Sequence, residues 1–323
     1  EKAPPGFFVK NANSQNPEPC PVGTFQSEYG KDHCLVSPSG SYVDSPASAL
    51  PTYCPPGTFS AEVGQIIQDC VEAEPGNWAP GGTGIQLSCP AGSFQPEGGR
   101  GNCILAGPGR FSVNESSTFD IPCQIGAFQP LEGQSGCTVS DSGHYVDQVG
   151  SQSQTPCHQG TYNPKVGSTS PDDCNPVSPG NFSLEGSAEP IECPPGTFQP
   201  DWGRGSCLES APGFFVVSPG ADSQTPCEPG KYQPNHSQTE CMVAMPGYYT
   251  NKAGAAEITP CPVGTFQNES GSSACIYSSR GFFVDSPGSA NQKHCPAGKY
   301  SSVEGAISRS ICATVQAGFY SLN

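Results

Sequence analysis

The sequence predicts an all-β protein of small disulfide-rich repeats, an elongated, solenoid-like ladder of short β-hairpins with little regular secondary structure. Three observations support this prediction. The motif Gly-x-aromatic occurs nineteen times between Gly6 and Gly318, and thirteen of the eighteen intervals between successive motifs are 17 residues. Eighteen cysteines are arranged on the same period, and 40 glycines and 36 prolines leave few residues for one large core. A short fixed period indicates units that contact mainly their neighbours, which favours a rod.

The cysteines show that two 17-residue half-units form one repeat. The first half-unit begins Cys-Pro-x-Gly-Thr-Phe-Gln, as at Cys193–Gln199, and ends at a second cysteine, Cys207. The second half-unit contains Pro-Gly-x-aromatic-Val, as at Pro212–Val216, and ends just before the next cysteine. We therefore expect repeats at 20–53, 54–88, 89–122, 123–156, 157–192, 193–226, 227–260 and 261–294, preceded by a second half-unit at 1–19 and followed by a truncated repeat at 295–323.

Within each half-unit the residue pattern predicts a corner, a strand, a turn and a returning strand. Proline before the first glycine suits the corner, and the residues after that glycine suit a short strand. A second glycine seven residues later, as at Gly30 or Gly64, suits a turn with positive φ. The aromatic ring, one per half-unit, is expected to form the core. An aromatic ladder that binds sugars is the alternative function for these rings.

The cysteines alternate at separations of 14 and 20 residues, with small deviations. Pairing across the longer intervals, as in Cys34–Cys54, would leave Cys20 and Cys312 unpaired. Pairing within the first half-unit, which we favour, leaves no cysteine over. It gives Cys20–Cys34, Cys54–Cys70, Cys89–Cys103, Cys123–Cys137, Cys157–Cys174, Cys193–Cys207, Cys227–Cys241, Cys261–Cys275 and Cys295–Cys312.

Composition restricts the compartment and the partners. Many disulfides indicate an oxidising environment, so we expect an extracellular protein, secreted or held at a cell surface. A formal net charge of −16 argues against nucleic acid and anionic lipid as partners. The sequence lacks C-x-x-C pairs and any stretch of eighteen apolar residues. We therefore expect no metal site, no cofactor and no direct membrane insertion in this segment.

The sequence also contains no catalytic motif. The acidic pair Asp172-Asp173 occurs once, in an inserted loop, and is better explained as a solvated turn. Catalytic carboxylates need rigid support and an enclosing cleft, which a thin rod does not offer. We therefore predict that the protein is not an enzyme.

The segment Cys20-Pro21-Val22-Gly23-Thr24-Phe25, with Cys34 14 residues after Cys20, resembles the single-disulfide module of two receptor families. These are the ephrin-receptor-like and tumour-necrosis-factor-receptor-like cysteine-rich repeats. The resemblance extends over the chain repeat by repeat and implies pairing within the module and an elongated ladder. The crossed-disulfide modules of those receptors are missing, so the resemblance does not extend to binding a cytokine or an ephrin. Arrays this regular are more similar to those of large surface proteins of protists and bacteria.

Four Asn-x-Ser sequons are candidate glycosylation sites: Asn114, Asn181, Asn235 and Asn268. Asn114, Asn235 and Asn268 follow their first glycine by four or five residues. That spacing places them near the expected hairpin tip, where a glycan would meet solvent.

Three half-units carry insertions before their closing cysteine, and insertions in repeat arrays usually lie in loops on one face. We hypothesise that their apolar residues, Ile66, Ile67, Ile307 and Ile311, make lateral contacts between rods. The last residues, which include Phe319 and Tyr320, begin a half-unit that the start of another chain would complete, unless the sequence is a segment of a longer array. We therefore expect the partner to be the protein itself, through head-to-tail or lateral assembly, or a neighbouring surface protein.

These observations favour a structural extracellular protein, a rod-like building block of a cell-surface filament, stalk or sheath. The alternative is the stalk or ligand-binding ectodomain of a receptor or adhesin. A binding module should contain one unusual repeat, whereas the repeats here are uniform apart from the insertions.

Overall fold

The computed structural model describes residues 1–11 and 16–316, and its regular structure there is almost entirely β. Every strand is two residues long and pairs antiparallel with one neighbour, which gives eighteen two-stranded hairpins in the described residues. The predicted all-β, disulfide-rich repeats are therefore confirmed.

Nine hairpins lie in first half-units: β3 Thr24–Phe25 with β4 Leu35–Val36, β7 Thr58–Phe59 with β8 Val71–Glu72, β11 Ser93–Phe94 with β12 Ile104–Leu105, β15 Ala127–Phe128 with β16 Thr138–Val139, β19 Thr161–Tyr162 with β20 Asn175–Pro176, β23 Thr197–Phe198 with β24 Leu208–Glu209, β27 Lys231–Tyr232 with β28 Met242–Val243, β31 Thr265–Phe266 with β32 Ile276–Tyr277, and β35 Lys299–Tyr300 with β36 Ala313–Thr314.

Nine hairpins lie in second half-units: β1 Phe7–Phe8 with β2 Glu18–Pro19, β5 Ser41–Tyr42 with β6 Thr52–Tyr53, β9 Asn77–Trp78 with β10 Leu87–Ser88, β13 Arg110–Phe111 with β14 Ile121–Pro122, β17 His144–Tyr145 with β18 Thr155–Pro156, β21 Asn181–Phe182 with β22 Ile191–Glu192, β25 Phe214–Phe215 with β26 Thr225–Pro226, β29 Tyr248–Tyr249 with β30 Thr259–Pro260, and β33 Phe282–Phe283 with β34 Lys293–His294.

The chain divides into two compact units. The first consists of Glu1–Thr155 with Lys165–Asp173, and the second of Pro156–Pro164 with the chain from Cys174 onward. Each unit is a series of hairpins built in the same way.

Within each compact unit, backbone hydrogen bonds join one half-unit to the next. In the first unit, the Gly23 amide donates to the Val43 carbonyl (2.8 Å), and the Ala47 amide donates back to the Cys20 carbonyl (2.8 Å). In the second unit, Gly196 donates to Val216 (2.9 Å), and Gly220 donates back to Cys193 (2.9 Å). A two-residue hairpin is not stable alone in water. These bonds show that each hairpin is completed by its neighbour.

The buried core is made of cysteines, glutamines and small side chains rather than aromatic rings. Two positions are buried along the chain, three residues before and three residues after the first glycine of each half-unit, except that Val9 at the later position is half-buried. The earlier position holds Ala3, Cys20, Ser37, Cys54, Ala73, Cys89, Ala106, Cys123, Ser140, Cys157, Val177, Cys193, Ser210, Cys227, Ala244, Cys261, Ser278 and Cys295. The later position holds Gln26, Val43, Ser60, Ala79, Gln95, Ser112, Gln129, Val146, Asn163, Ser183, Gln199, Val216, Gln233, Thr250, Gln267, Val284 and Ser301.

The prediction that the aromatic forms the core is therefore wrong for most half-units. Phe283 is buried, Tyr300 is exposed, and the other aromatics at this position are half-buried. The reason is the close approach of the backbones. A β-carbon added to Gly109 would lie 2.0 Å from the carbonyl oxygen of Gly150, so no ring fits between the half-units. Most of the rings instead lie half-buried on the first strands of the hairpins.

Buried glutamines hold the loops of six first half-units. Gln129 shows the arrangement: its Nε2 donates to the Gly136 carbonyl (2.8 Å), and its Oε1 accepts from the Leu131 amide (3.1 Å). One side chain thus satisfies two backbone groups of the loop, as buried polar groups require. The same pair of bonds is made by Gln26, Gln95, Gln199, Gln233 and Gln267.

In four second half-units a glutamine occupies the place of the second cysteine, directly before the returning strand. Gln292 Oε1 accepts a hydrogen bond from the Ser279 amide (2.6 Å), next to Ser278 at the place of the first cysteine. Gln86, Gln154 and Gln224 accept equivalent bonds from the amides of Glu74, Asp141 and Ala211. A side-chain hydrogen bond therefore closes these hairpins where a disulfide closes the others.

This equivalence predicts that S278C/Q292C will form a tenth disulfide. The two positions are 14 residues apart, as are Cys261 and Cys275 in the preceding hairpin. Closing such a loop stabilises a protein by ~3 kcal/mol in the chain-entropy model. Loss of the glutamine bond subtracts ~1 kcal/mol. We expect urea denaturation to show a net gain of ~2 kcal/mol after oxidation. Thiols that stay free after oxidation would show that the two hairpins are not equivalent.

Candidate modification sites and interaction surface

All eighteen cysteines are paired in nine disulfides, each within one first half-unit. Each bond joins the start of the half-unit to the residue before its returning strand, across a Cα–Cα distance of 5.7 or 5.8 Å. The shifted pairing, with Cys34–Cys54, does not occur. The bonds are Cys20–Cys34, Cys54–Cys70, Cys89–Cys103, Cys123–Cys137, Cys157–Cys174, Cys193–Cys207, Cys227–Cys241, Cys261–Cys275 and Cys295–Cys312.

The three inserted loops each contain a short 3-10 helix before the closing cysteine: Ile67–Asp69, Pro171–Asp173 and Arg309–Ile311. These are the half-units that lack the buried glutamine. Ser60, Asn163 and Ser301 stand in its place. A longer loop moves the carbonyl that the glutamine would reach, and the helix supplies new local hydrogen bonds instead. The inserted residues are therefore part of the hydrogen-bonded structure of the hairpin.

The isoleucines of these loops are partly exposed and also make contacts within the chain. Ile66 is half-buried, and the Ile67 amide donates to Asp44 Oδ1 (2.7 Å). The side chain of Ile307 packs against Gly264, whose added β-carbon would lie 3.0 Å from Ile307 Cγ2. Ile67, Ile307 and Ile311 keep 40%, 52% and 37% of their surface exposed. Phe319 and Tyr320 lie outside the described residues.

A second set of apolar side chains, which sequence analysis missed, follows the closing cysteines. These post-cysteine side chains lie on the returning strands, and each is 42–70% exposed. The sequence pattern that could have predicted them is one or two apolar residues after the second cysteine of most first half-units. They are Leu35, Val36, Val71, Ile104, Leu105 and Val139 in the first unit, and Leu208, Met242, Val243, Ile276 and Tyr277 in the second.

The four sequons fall into two environments. Asn114, Asn235 and Asn268 are exposed in hairpin loops, near the tips where the sequence placed them. Asn181 is different, because it lies in strand β21 and is half-buried.

Surface carboxylates are held in their charged form by neighbouring groups. The hydrogen bond from Lys293 to Asp285 (2.6 Å) lowers the pKa of Asp285 below its usual value. The hydrogen bond with Lys31 lowers the pKa of Glu28 in the same way. Both groups are exposed, and the neighbouring lysine favours the negative form of each.

Two findings concern metals and membranes. Among residues 1–11 and 16–316, no group of three or more His, Cys, Asp or Glu side chains is arranged to hold a metal ion. In the described part of the chain, no helix has the length and apolar character needed to cross a bilayer.

Comparison with known proteins identifies the repeats. Residues 180–227 and 247–295 match the family model described as tyrosine-protein kinase ephrin type A/B receptor-like. Each matched stretch contains one complete disulfide hairpin and the two half-units that flank it, closed by Cys193–Cys207 and Cys261–Cys275 respectively. No curated protein matches the chain. The nine disulfides and this match indicate an extracellular structural or receptor ectodomain. Residues 180–227 and 247–295 are therefore similar to the cysteine-rich repeats of ephrin-type receptors.

Proposed function

We propose that the chain is a structural protein of the cell exterior whose repeats form a rod-like part of a surface filament, stalk or sheath. The observation that supports this most directly is the uniform use of backbone hydrogen bonds. From Gly6 to Gly281, the first glycine of nearly every half-unit donates to the same position of the next half-unit. A chain built this way becomes longer with each repeat. The residues that make these hydrogen bonds hold one hairpin against the next.

The post-cysteine side chains support association between copies of this chain. They recur in seven of the nine first half-units, so two copies placed side by side would bring several pairs together at once. Many weak apolar contacts of equal spacing give high avidity without a single large patch. The excess negative charge opposes this association at low ionic strength, and salt screens the repulsion. We therefore expect assembly to increase with salt as well as with concentration.

The match with a non-catalytic receptor-like repeat supports a function without catalysis. It also favours the second candidate function, the stalk or ligand-binding ectodomain of a receptor or adhesin. In that case the repeats hold a binding site away from the cell surface, and copies of the chain do not associate with one another.

Sedimentation velocity over a range of protein and salt concentrations, with negative-stain electron microscopy, separates the two. If the post-cysteine side chains make the contact, L35S/I104S/I276S should weaken assembly. If the inserted loops make it, I66S/I67S/I307S/I311S should weaken assembly instead. The control V149S/L184S replaces exposed apolar residues of second half-unit loops and should assemble like the original chain. A chain that stays monomeric under every condition would contradict self-assembly and favour the stalk.

A further inference from the structure

The loop of residues 112–120 presents Asn114 as an acceptor group. Asn114 is exposed, and its side chain makes no hydrogen bond to any described residue. The loop is held on both sides of this residue. Before Asn114, the Ser112 amide donates to the Gln134 carbonyl (3.1 Å), and after it the Ser116 amide donates to the Cys89 carbonyl (2.9 Å). Asn114 therefore projects from a fixed turn into solvent.

The serines of two sequons occupy a position that otherwise favours glycine. Ser116 and Ser237 have φ of 56° and 58°, at the turn where most half-units have a glycine and where Ala47, outside any sequon, has φ of 61°. A residue with a β-carbon is strained in this left-handed region. Serine adds nothing to the backbone bond made there, since glycines such as Gly133 make the same bond. At both turns serine adds a hydroxyl two residues after an exposed asparagine, and the Ser116 hydroxyl also donates to Asn77 Oδ1 (3.2 Å).

Asn181 has a structural role instead. It occupies the first residue of its strand, and its Nδ2 donates to Ser178 Oγ (3.2 Å) and to the Pro179 carbonyl (3.3 Å). In other half-units a hydroxyl at this position bonds to the same corner, as Thr197 does to the Pro194 carbonyl (2.7 Å). The hydroxyl-bearing residue of its sequon, Ser183, is fully buried. A glycan on Asn181 would disrupt the corner of the hairpin.

Asn114 also borders an apolar groove. Phe119 and Val113 remain 64% and 50% exposed, and they line one shallow groove together with Asn114 and Ile121. The first sugar of a glycan on Asn114 starts inside this groove, and sugar C–H groups pack well on aromatic faces. A covalently placed glycan is thus a fitting occupant of the groove.

We propose that Asn114, Asn235 and Asn268 carry N-linked glycans, that Asn181 does not, and that the glycan on Asn114 covers Phe119. The donor is a lipid-linked oligosaccharide diphosphate. The Asn Nδ2 forms a bond to the anomeric carbon of the first sugar and loses a proton, while the bond from that carbon to the lipid diphosphate breaks. The modification depends on export through a compartment that holds this donor. It does not depend on whether the chain assembles.

Site occupancy is measured on protein secreted from a eukaryotic host. Enzymatic removal of N-glycans in heavy-oxygen water converts each glycosylated Asn to labelled Asp, which peptide mass spectrometry locates. The expected result is label at Asn114, Asn235 and Asn268 and none at Asn181. Unmodified loop asparagines, or a glycan on Asn181 in folded secreted protein, would overturn the assignment while leaving the assembly proposal intact.

Limited chymotrypsin digestion tests the cover over Phe119. No disulfide spans Phe119, so a cut there separates the chain on a non-reducing denaturing gel. Exposed loop tips are preferred sites of cleavage, so loss of the glycan in S116G should speed this cut about tenfold. The control S237G removes the glycan from Asn235 and should leave the rate unchanged. Equal rates in secreted original protein and S116G would show that the glycan does not cover Phe119.

Discussion

Replacing Gly109 by alanine is expected to destabilise its half-unit by about 4 kcal/mol or more, which is at the severe end for a single substitution. The added β-carbon would lie 2.0 Å from the carbonyl oxygen of Gly150 and 2.8 Å from its carbon. Both atoms belong to a backbone that is held by its own hydrogen bond, from the Gly150 amide to the Cys123 carbonyl (2.8 Å). Neither backbone can move away without breaking the contact between half-units.

Gly150→Ala is the matched control. Both glycines have φ of +78°, so alanine at either position incurs the same left-handed strain of about 1–2 kcal/mol. The nearest atom to a β-carbon on Gly150 is Pro122 Cβ, at 3.9 Å, which is an ordinary contact. Amide hydrogen exchange around the two glycines measures the difference. Similar loss of protection in both variants would mean that the backbone at Gly109 does not lie this close to the Gly150 carbonyl.

Removing one disulfide, as in C227A/C241A, is expected to lower the free energy of unfolding by ~3 kcal/mol. The loop it closes has a sequence separation of 14, and Cys227 is fully buried. Because each half-unit contacts mainly its neighbours, the loss should be largest in hairpin β27–β28 and small several repeats away. Urea denaturation gives the global value, and hydrogen exchange gives its distribution.

Gln292→Ala provides the comparison for this disulfide. It removes the hydrogen bond that closes a hairpin without cysteines and should cost ~1 kcal/mol. A disulfide variant no less stable than Q292A would show that the hydrogen bonds between half-units, and not the covalent bonds, hold the hairpins together. Full reduction of all nine bonds is expected to unfold the chain under conditions where the oxidised protein is stable.

The periodic features of the sequence predicted the hairpins well because they follow from local chemistry. Gly-x-aromatic marks the start of each first strand, and the second glycine marks the turn with positive φ, as at Gly64. The 14-residue spacing suited pairing within the half-unit, and the structure contains those bonds. These properties depend on residues within about 17 positions of one another, a range over which a single sequence is informative.

The location of the core could not be predicted in the same way. Size and hydrophobicity favoured the aromatic rings, yet the structure buries Gln129 and leaves Phe128 half-buried. The substitution of serine or asparagine for this glutamine coincides with each inserted loop. The sequence contains this relation, but its meaning became clear only when the structure showed that the glutamine binds the loop.

Sequence alone determined that this protein consists of short, disulfide-closed hairpins in tandem, because glycine, proline and cysteine act on the chain close to where they stand. The tertiary structure decided which side chains lie inside and which sequons are exposed. Those properties depend on how closely one backbone approaches another. At Gly109 that approach leaves no room for a single added carbon, and it excludes the rings from the interior.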